Sequence, residues 1–229
     1  IWIAWALARG GTEWSEPAFT ASAREIAGDI RRKLLRRRGD QVLLLPAEHG
    51  FETPRGLVLN LSYWVFPAFD ELAAIDPHPV WSRLSETGLA LLHSVGFGRW
   101  KLPPDWLTLE EAPVVSKQFA PVFGYNAVRI PLHLVWAGKA SPANLKPYRD
   151  FWGYFDGARF TPARTNLEDD CVDSFDAPAG IRAIVELVRS ASQESPSASS
   201  LARLEDGEDY YSASLLLLTK LAIAERSSS

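Results

Sequence analysis

The stretch SEPAFTASAREIAGDIRRKLLRRRG, Ser15 to Gly39, carries a helix start, a helical repeat and a stop. Ser15-Glu16-Pro17 is a start signal, because a side-chain oxygen can cap free N–H groups and proline suits the first turn. Phe19, Ala23, Ile26, Ile30 and Leu34 then recur at spacings of three and four, which puts them on one face of a predicted helix that ends at Gly39. Arg31, Arg32, Lys33, Arg36, Arg37 and Arg38 fall in the last turns of that helix, where cations offset the helix dipole. The same cluster could suggest a polyanionic partner. A formal charge of −4 and a pI near 5.6 give no electrostatic reason for one, so nucleic acid is not expected.

The helical period continues outward. Trp81, Leu84, Gly88, Leu91 and Val95 repeat it, as do Leu145, Tyr148, Trp152 and Phe155, then Ile181, Ile184, Val185 and Val188. A last helix is predicted from about Asp209 to Ala224. Gln41 to Leu45 and Leu57 to Leu61 are β-prone runs around a Pro/Gly-containing turn and predict one small β-hairpin, all other strand signals being weak. Residues 190–200 read as a loop or linker and 227–229 as a mobile tail. There is no exact internal repeat. Helices joined by long, aromatic-rich connections suit an all-α toroid whose loops line a groove at one end, over a single domain spanning 1–229.

Composition bounds the chemistry. With 229 residues, 47% hydrophobic content and nine Trp, the chain can bury a sizeable core as one domain or the larger part of one. Cys171 is the lone cysteine, which excludes an intrachain disulfide and a multi-cysteine zinc site. His49, His78, His93 and His133 show no metal-ligand spacing, so neither a metal nor any other cofactor is expected. No apolar run approaches the roughly 20 residues that span a bilayer. There is no methionine, and Ile1 to Leu7 begin inside an apolar helical pattern with no cap, which predicts that further residues precede Ile1.

The connections hold the most informative side chains. Tyr63 and Trp64 follow Asn60-Leu61-Ser62, Asp105-Trp106 follows two prolines, and Tyr125-Asn126-Ala127-Val128-Arg129 opens a helix. Each pairs an aromatic ring with a polar group. Carbohydrate sites need that pairing, since ring faces pack on sugar C–H faces while amides, carboxylates and guanidinium groups bond hydroxyls. Core packing is the other common use of such rings.

At these residues the chain resembles glycoside hydrolase family 8. Ile1 to Leu7 followed by Trp14 is similar to the stretch after that family's Asp-Ala-Asp-Leu-Trp motif, and Leu43-Leu44-Leu45-Pro46 through Gly50-Phe51 to its Leu-Leu-Pro-Gly hairpin. Asn60 to Tyr63 resembles Asn-Pro-Ser-Tyr, Pro104-Asp105-Trp106 matches Pro-Asp-Trp, and Gly124 to Pro131 resembles Tyr-Asp-Ala-x-Arg-x-Pro. The resemblance covers about Ile1 to Ala137, with order and approximate spacing kept; beyond it only the helical pattern agrees.

The resemblance implies an (α/α)6 barrel of six helical hairpins, here incomplete and lacking its first helices. It also implies an endo-β-1,4-glucanase, a cellulase-type bacterial enzyme that hydrolyses β-glucan polysaccharide with inversion. Inversion needs two carboxyl groups about 6.5 to 9.5 Å apart, one to protonate the leaving oxygen and one to deprotonate a water. The family's acid is a Glu upstream of the Asp-Ala-Asp motif, so it would precede Ile1, and the 229 residues by themselves would lack it. Where many members carry the base aspartate, this chain has Asn126, an amide that can hold a water but not accept its proton. Asp105 is the candidate substitute base; a loop aspartate capping the turn near Trp106 is its alternative reading. Glu110 and Glu111 follow as solvated loop residues. By carry-over, Tyr63, Trp106, Tyr125 and Arg129 are the substrate-binding candidates, in one cleft with Asn126.

Two further readings stand beside the hydrolase: a glucan-binding remnant without activity, and a helical scaffold with no sugar site. A polysaccharide substrate implies a periplasmic or secreted enzyme, and a monomer when full length.

Overall fold

The computed structural model describes residues 1–191 and 207–227. The backbone packs as two compact units: Ile1–Ser94 with Trp106–Ser116, and Val95–Asp105 with Lys117–Ser229. Among the described residues the regular structure is mainly helical, as expected, with small antiparallel sheets. No described helix is long and apolar enough to cross a membrane.

In the first unit, α1 (Trp2–Glu13) starts at Ile1 without a side-chain cap, and α2 (Pro17–Asp29) is capped by Glu16, whose carboxylate accepts from the Ala18 N–H. Ser15 is not the cap; it turns the chain with a φ of 52°. α3 (Phe66–Ile75) and α4 (Val80–Ser94) complete the helices. Phe66, Phe69 and Trp81 form an edge-to-face and stacked run in the core, with ring centroids 6.0 and 6.3 Å apart. Each ring so buried contributes on the order of 1.5–3 kcal/mol. Gly88 allows the approach of α4, since a Cβ there would lie 2.7 Å from the Trp64 ring and 2.8 Å from Phe66.

The helix expected to run from Ser15 to Gly39 stops at Asp29, continues as a single π-helical turn (Ile30–Leu34), and becomes β1 (Leu35–Arg38). Arg31, Arg32 and Lys33 thus do fall in the last turn of the helical run, whereas Arg36, Arg37 and Arg38 lie on the strand. Arg31 donates to Asp76 at 2.6 and 2.9 Å, Arg32 and Lys33 pair with Asp29, and Arg36 pairs with Glu52. Asp76 also accepts from the Trp81 indole, which ties the end of α3 to α4.

The two β-prone runs are strands, but they do not pair with each other. β2 (Gln41–Leu44) returns on β1 across the Gly39 turn, in register Arg38↔Gln41 to Leu35↔Leu44. β4 (Gly56–Leu59) lies between β3 (Glu52–Thr53) and β5 (Leu107–Leu109), and β6 (Pro113–Val115) follows on β5, all antiparallel. A partner some 50 residues downstream cannot be read from local alternation. Glu110 lies in the turn after β5, 3.6 Å from Arg55.

The second unit holds α5 (Arg129–Trp136), α6 (Pro142–Tyr154), α7 (Ala179–Ser190), α8 (Tyr210–Ser227) and a two-stranded ladder of β7 (Val122–Phe123) with β8 (Thr165–Asn166). Ser141 caps α6 by accepting from the Asn144 N–H, with Pro142 at its first position. Phe123 packs edge-on to Phe151 and Trp152 at 5.6 and 6.0 Å, so the strand that leads to residue 124 is anchored in the core. α7 and α8 touch closely at Gly180: a Cβ there would lie 2.2 Å from the Ser212 carbonyl oxygen. The linker expected at 190–200 falls mostly on 192–206, outside the described residues. Ser190 ends α7, Ser227 ends α8, and 228–229 are likewise outside them.

Candidate functional site

Asp105 and the turn from Gly124 to Arg129 come together in the second unit. β7 delivers the chain to Gly124, residues 125–128 form a turn, and α5 starts at Arg129. Asp105 is 6% exposed, and its own N–H donates to the Val122 carbonyl at 2.7 Å. Its Oδ1 accepts from the N–H of Gly124 at 2.9 Å and of Ala127 at 2.8 Å. Glycine suits position 124 because a Cβ would meet the Arg164 side chain at 3.1 Å and Asp105 Oδ2 at 3.4 Å.

The second carboxylate oxygen faces Asn126. Asn126 Nδ2 lies 3.4 Å from Asp105 Oδ2, a long hydrogen bond, and Arg129 Nη2 donates to Asn126 Oδ1 at 2.9 Å. Arg129 Nε also donates to the Asn126 carbonyl at 3.3 Å. The amide of Asn126 is thus held between a carboxylate and a guanidinium. Sequence reading placed Asn126 and Arg129 on one helical face; their contact instead comes through the turn, since Asn126 precedes α5.

Burial raises the Asp105 carboxyl above its ordinary range, and the N–H groups of Ala127, Gly124 and Asn126 together with the Asn126 side chain act against that rise. The result is a carboxylate of raised basicity with one oxygen committed to backbone and one directed at Asn126. Burial drives His133, one turn along α5, down to about 3, helped by the Arg129 charge, so its imidazole is neutral and no acid at working pH.

Tyr125 is 38% exposed, and its ring meets the edge of Tyr211 at 5.8 Å. Tyr211, in the first turn of α8, also donates its hydroxyl to the Tyr125 carbonyl. Arg164 lies beside this group, against Gly124, and is ion-paired to Asp173 at 2.7 Å, which raises its pKa. Sequence reading missed both Tyr211 and Arg164. The signal for Tyr211 was the Tyr210-Tyr211 pair at the head of the last helix; Arg164 carried none.

Tyr63 and Trp106 form their own group in the first unit. Asn60 Oδ1 accepts from the N–H and hydroxyl of Ser62 at 3.0 and 2.6 Å, which closes the short 3-10 turn Leu61–Tyr63 and aims Tyr63. Trp106 stands edge-on to Tyr63 at 6.1 Å and stacks on Phe51 at 5.7 Å with 10° between planes. All three rings are partly exposed. Phe51 was quoted in the sequence only as part of a hairpin; here it completes an aromatic surface of the kind that packs on sugar rings. Trp64, by contrast, is fully buried core.

Comparison with known proteins shows the family. The family model for Glycosyl hydrolases family 8 matches residues 1–225. A probable endoglucanase of Novacetimonas hansenii is 34% identical over 226 residues, which cover 97% of this chain and 64% of that protein. An endoglucanase of Cellulomonas uda is 29% identical over 81% of this chain and 52% of its own length. The solved structure of the endo-β-1,4-glucanase CMCax from Acetobacter xylinum superposes with a TM-score of 0.89 at 34% identity, over 98% of this chain and 70% of that one. The chain thus spans just under two thirds of the first of these relatives and about half of the second.

Proposed function

The chain belongs to the glycosyl hydrolases of family 8, and on that premise we propose that it acts in endo-hydrolysis of β-1,4-glucan with inversion, as the larger part of one catalytic-type domain, an (α/α)6 barrel. The observation that carries this reading is the chain Asp105–Asn126–Arg129, with a buried carboxylate, a clamped amide and a guanidinium in line beside the exposed ring of Tyr125.

Asn126 orients the attacking water with its remaining N–H, because its carbonyl oxygen is occupied by Arg129 and it cannot take a proton. Asp105 Oδ2 accepts the proton. Desolvation makes it a stronger base than an exposed aspartate, while the backbone N–H groups act against that rise. The water oxygen attacks the anomeric carbon, the glycosidic bond breaks, and the leaving oxygen is protonated by a general-acid Glu, which the family resemblance would place outside these 229 residues. Arg129 bonds hydroxyls as well as holding Asn126, and Tyr125 packs on the sugar at the cleavage point. The aromatic group of Tyr63 and Trp106 in the first unit is of a kind that packs on sugar rings. Polysaccharide as substrate places the protein in the periplasm or outside the cell, as a monomer when full length.

The second reading, a glucan-binding remnant, is favoured by the amide at position 126. One pair of assays tests both. The purified 229-residue chain is expected to bind cellotetraose, read by tryptophan fluorescence, and to release no reducing sugar from carboxymethylcellulose. Release of sugar contradicts the assignment of the acid to a preceding segment. Lack of any binding overturns the glucan reading altogether. Activity regained on joining the upstream coding sequence supports the enzyme over the remnant.

A further inference from the structure

We propose that Tyr211 is a positioning residue for this site: it fixes the Tyr125–Asn126 peptide plane and thereby aims both the Tyr125 ring and the Asn126 amide. The inference rests on the role given above to residues 125 and 126, and it brings the last helix, 86 residues away in sequence, into the machinery.

The turn that carries the Tyr125–Asn126 peptide plane is held from both sides. The carbonyl oxygen of that plane accepts the Tyr211 hydroxyl, and the N–H groups of Gly124 and Ala127 that flank it both donate to Asp105 Oδ1. A peptide unit has no internal rotation, so a hold on its carbonyl and on the residues either side leaves it little freedom to rock. What flanks that unit is the pair of groups the reaction uses. The ring of Tyr125 is braced a second time by its edge contact with the Tyr211 ring, at 5.8 Å and 66° between planes.

Tyr211 is itself rigidly placed. Asp209 Oδ1 accepts from the Ser212 N–H at 2.7 Å and so caps α8. Ser212 Oγ accepts from the Gly180 N–H at 2.9 Å, in the contact where only a glycine lets α7 approach. The first turn of α8 is therefore locked to the first turn of α7, and the phenol projects from that fixed base. Burial keeps the phenol protonated, so its O–H remains a donor throughout the working range.

Tyr211→Phe keeps the ring and removes only the donor. In the 229-residue chain, amide hydrogen exchange at Gly124 and Ala127 is expected to speed up about tenfold, the factor that loss of one such bond corresponds to. The Gly180 amide, which reports the α7–α8 lock, should be unchanged, and cellotetraose affinity should fall about three- to tenfold. Tyr211→His, which retains a ring and an N–H donor, is expected to recover part of both, and Tyr210→Phe, at a residue 90% exposed, should match the parent. Unchanged exchange at Gly124 and Ala127 in Tyr211→Phe overturns the inference. So does equal acceleration at Gly180, which would mean general loosening, or faster exchange with unaltered affinity. If the parent chain fails to bind cellotetraose while the exchange pattern appears as expected, the peptide is positioned as described and the glucan reading is what falls. Should Tyr211→Phe not fold, the His variant decides: exchange and affinity equal to the parent support donation from this position, and parent-like affinity with exchange unprotected at Gly124 and Ala127 overturns it.

Discussion

Asp105 Oδ2 and Asn126 Nδ2 lie 3.4 Å apart, so the Asn126 amide, with the backbone N–H groups of the turn, acts against the upward push of burial on the Asp105 carboxyl. In a homologous site with aspartate at 126, two carboxyl groups would face each other there, and one of them would also face Arg129.

Asn126→Asp, made in a version that carries the upstream acid, is therefore expected to retain or raise activity on carboxymethylcellulose. The two carboxylates would titrate as a pair, with a higher apparent pKa than Asp105 has beside an amide. A base must be deprotonated to act, so the acid limb of the pH–rate profile should move to higher pH, by about one unit or more. Abolished activity in Asn126→Asp, with Asp105→Ala unaffected, would refute the placement of the base.

Asp105→Asn separates chemistry from folding. Its amide oxygen can still accept from Gly124 and Ala127, so the urea midpoint should move little, while in a version that carries the general acid kcat should fall by roughly 10²- to 10⁴-fold if Asp105 is the base. Asp105→Ala adds a structural cost, because the two buried N–H groups lose their acceptor at about 1–3 kcal/mol each. Equal kcat in Asp105→Asn and the parent would leave the residue a turn cap alone.

His133 gives a pH dependence of stability whose sign is fixed. Its folded pKa, about 3, lies below the value of an unfolded histidine, so between pH 6.5 and 3 the unfolded chain binds a proton that the native state does not. Stability from this group is present above 6.5 and lost as pH falls toward 3, with a slope of up to about 1.4 kcal/mol per pH unit. His133→Gln should lose that component of the slope. Urea unfolding at pH 7.5, 6 and 5 in both proteins measures the difference; parallel curves would refute it.

Gly88→Ala tests the core of the first unit. The added methyl would lie within 2.8 Å of both Trp64 and Phe66, rings fully buried and unable to withdraw into solvent. The expected cost is about 1–3 kcal/mol from overpacking, read as a lower urea midpoint with an unchanged m-value. A neutral result would show that the α3–α4 packing is looser than its distances indicate.

The helical repeat located α4, α6, α7 and α8 to within a few residues, because a helix buries one face and so writes a local period into the chain. Leu34-Leu35 and the arginines after them were read as more helix, since nothing local opposes it; β1 forms there because β2 is on hand across Gly39 to satisfy its backbone. The same limit mispaired Gln41 to Leu45 with Leu57 to Leu61. Each has the character of a strand, and strand character does not name a partner.

By itself the sequence determined the helical class, the ring-and-amide composition of the connections, and the presence of an amide at position 126. Tertiary structure decided where the carboxylate goes: Asp105 reaches a turn 19 to 22 residues downstream, and Tyr211 reaches back 86 residues to the same turn. The physical reason is that period and composition record how each segment meets solvent, whereas a hydrogen bond between distant segments is chosen only when the core beneath them, here Phe123 against Phe151 and α7 against α8, fixes where their backbones lie.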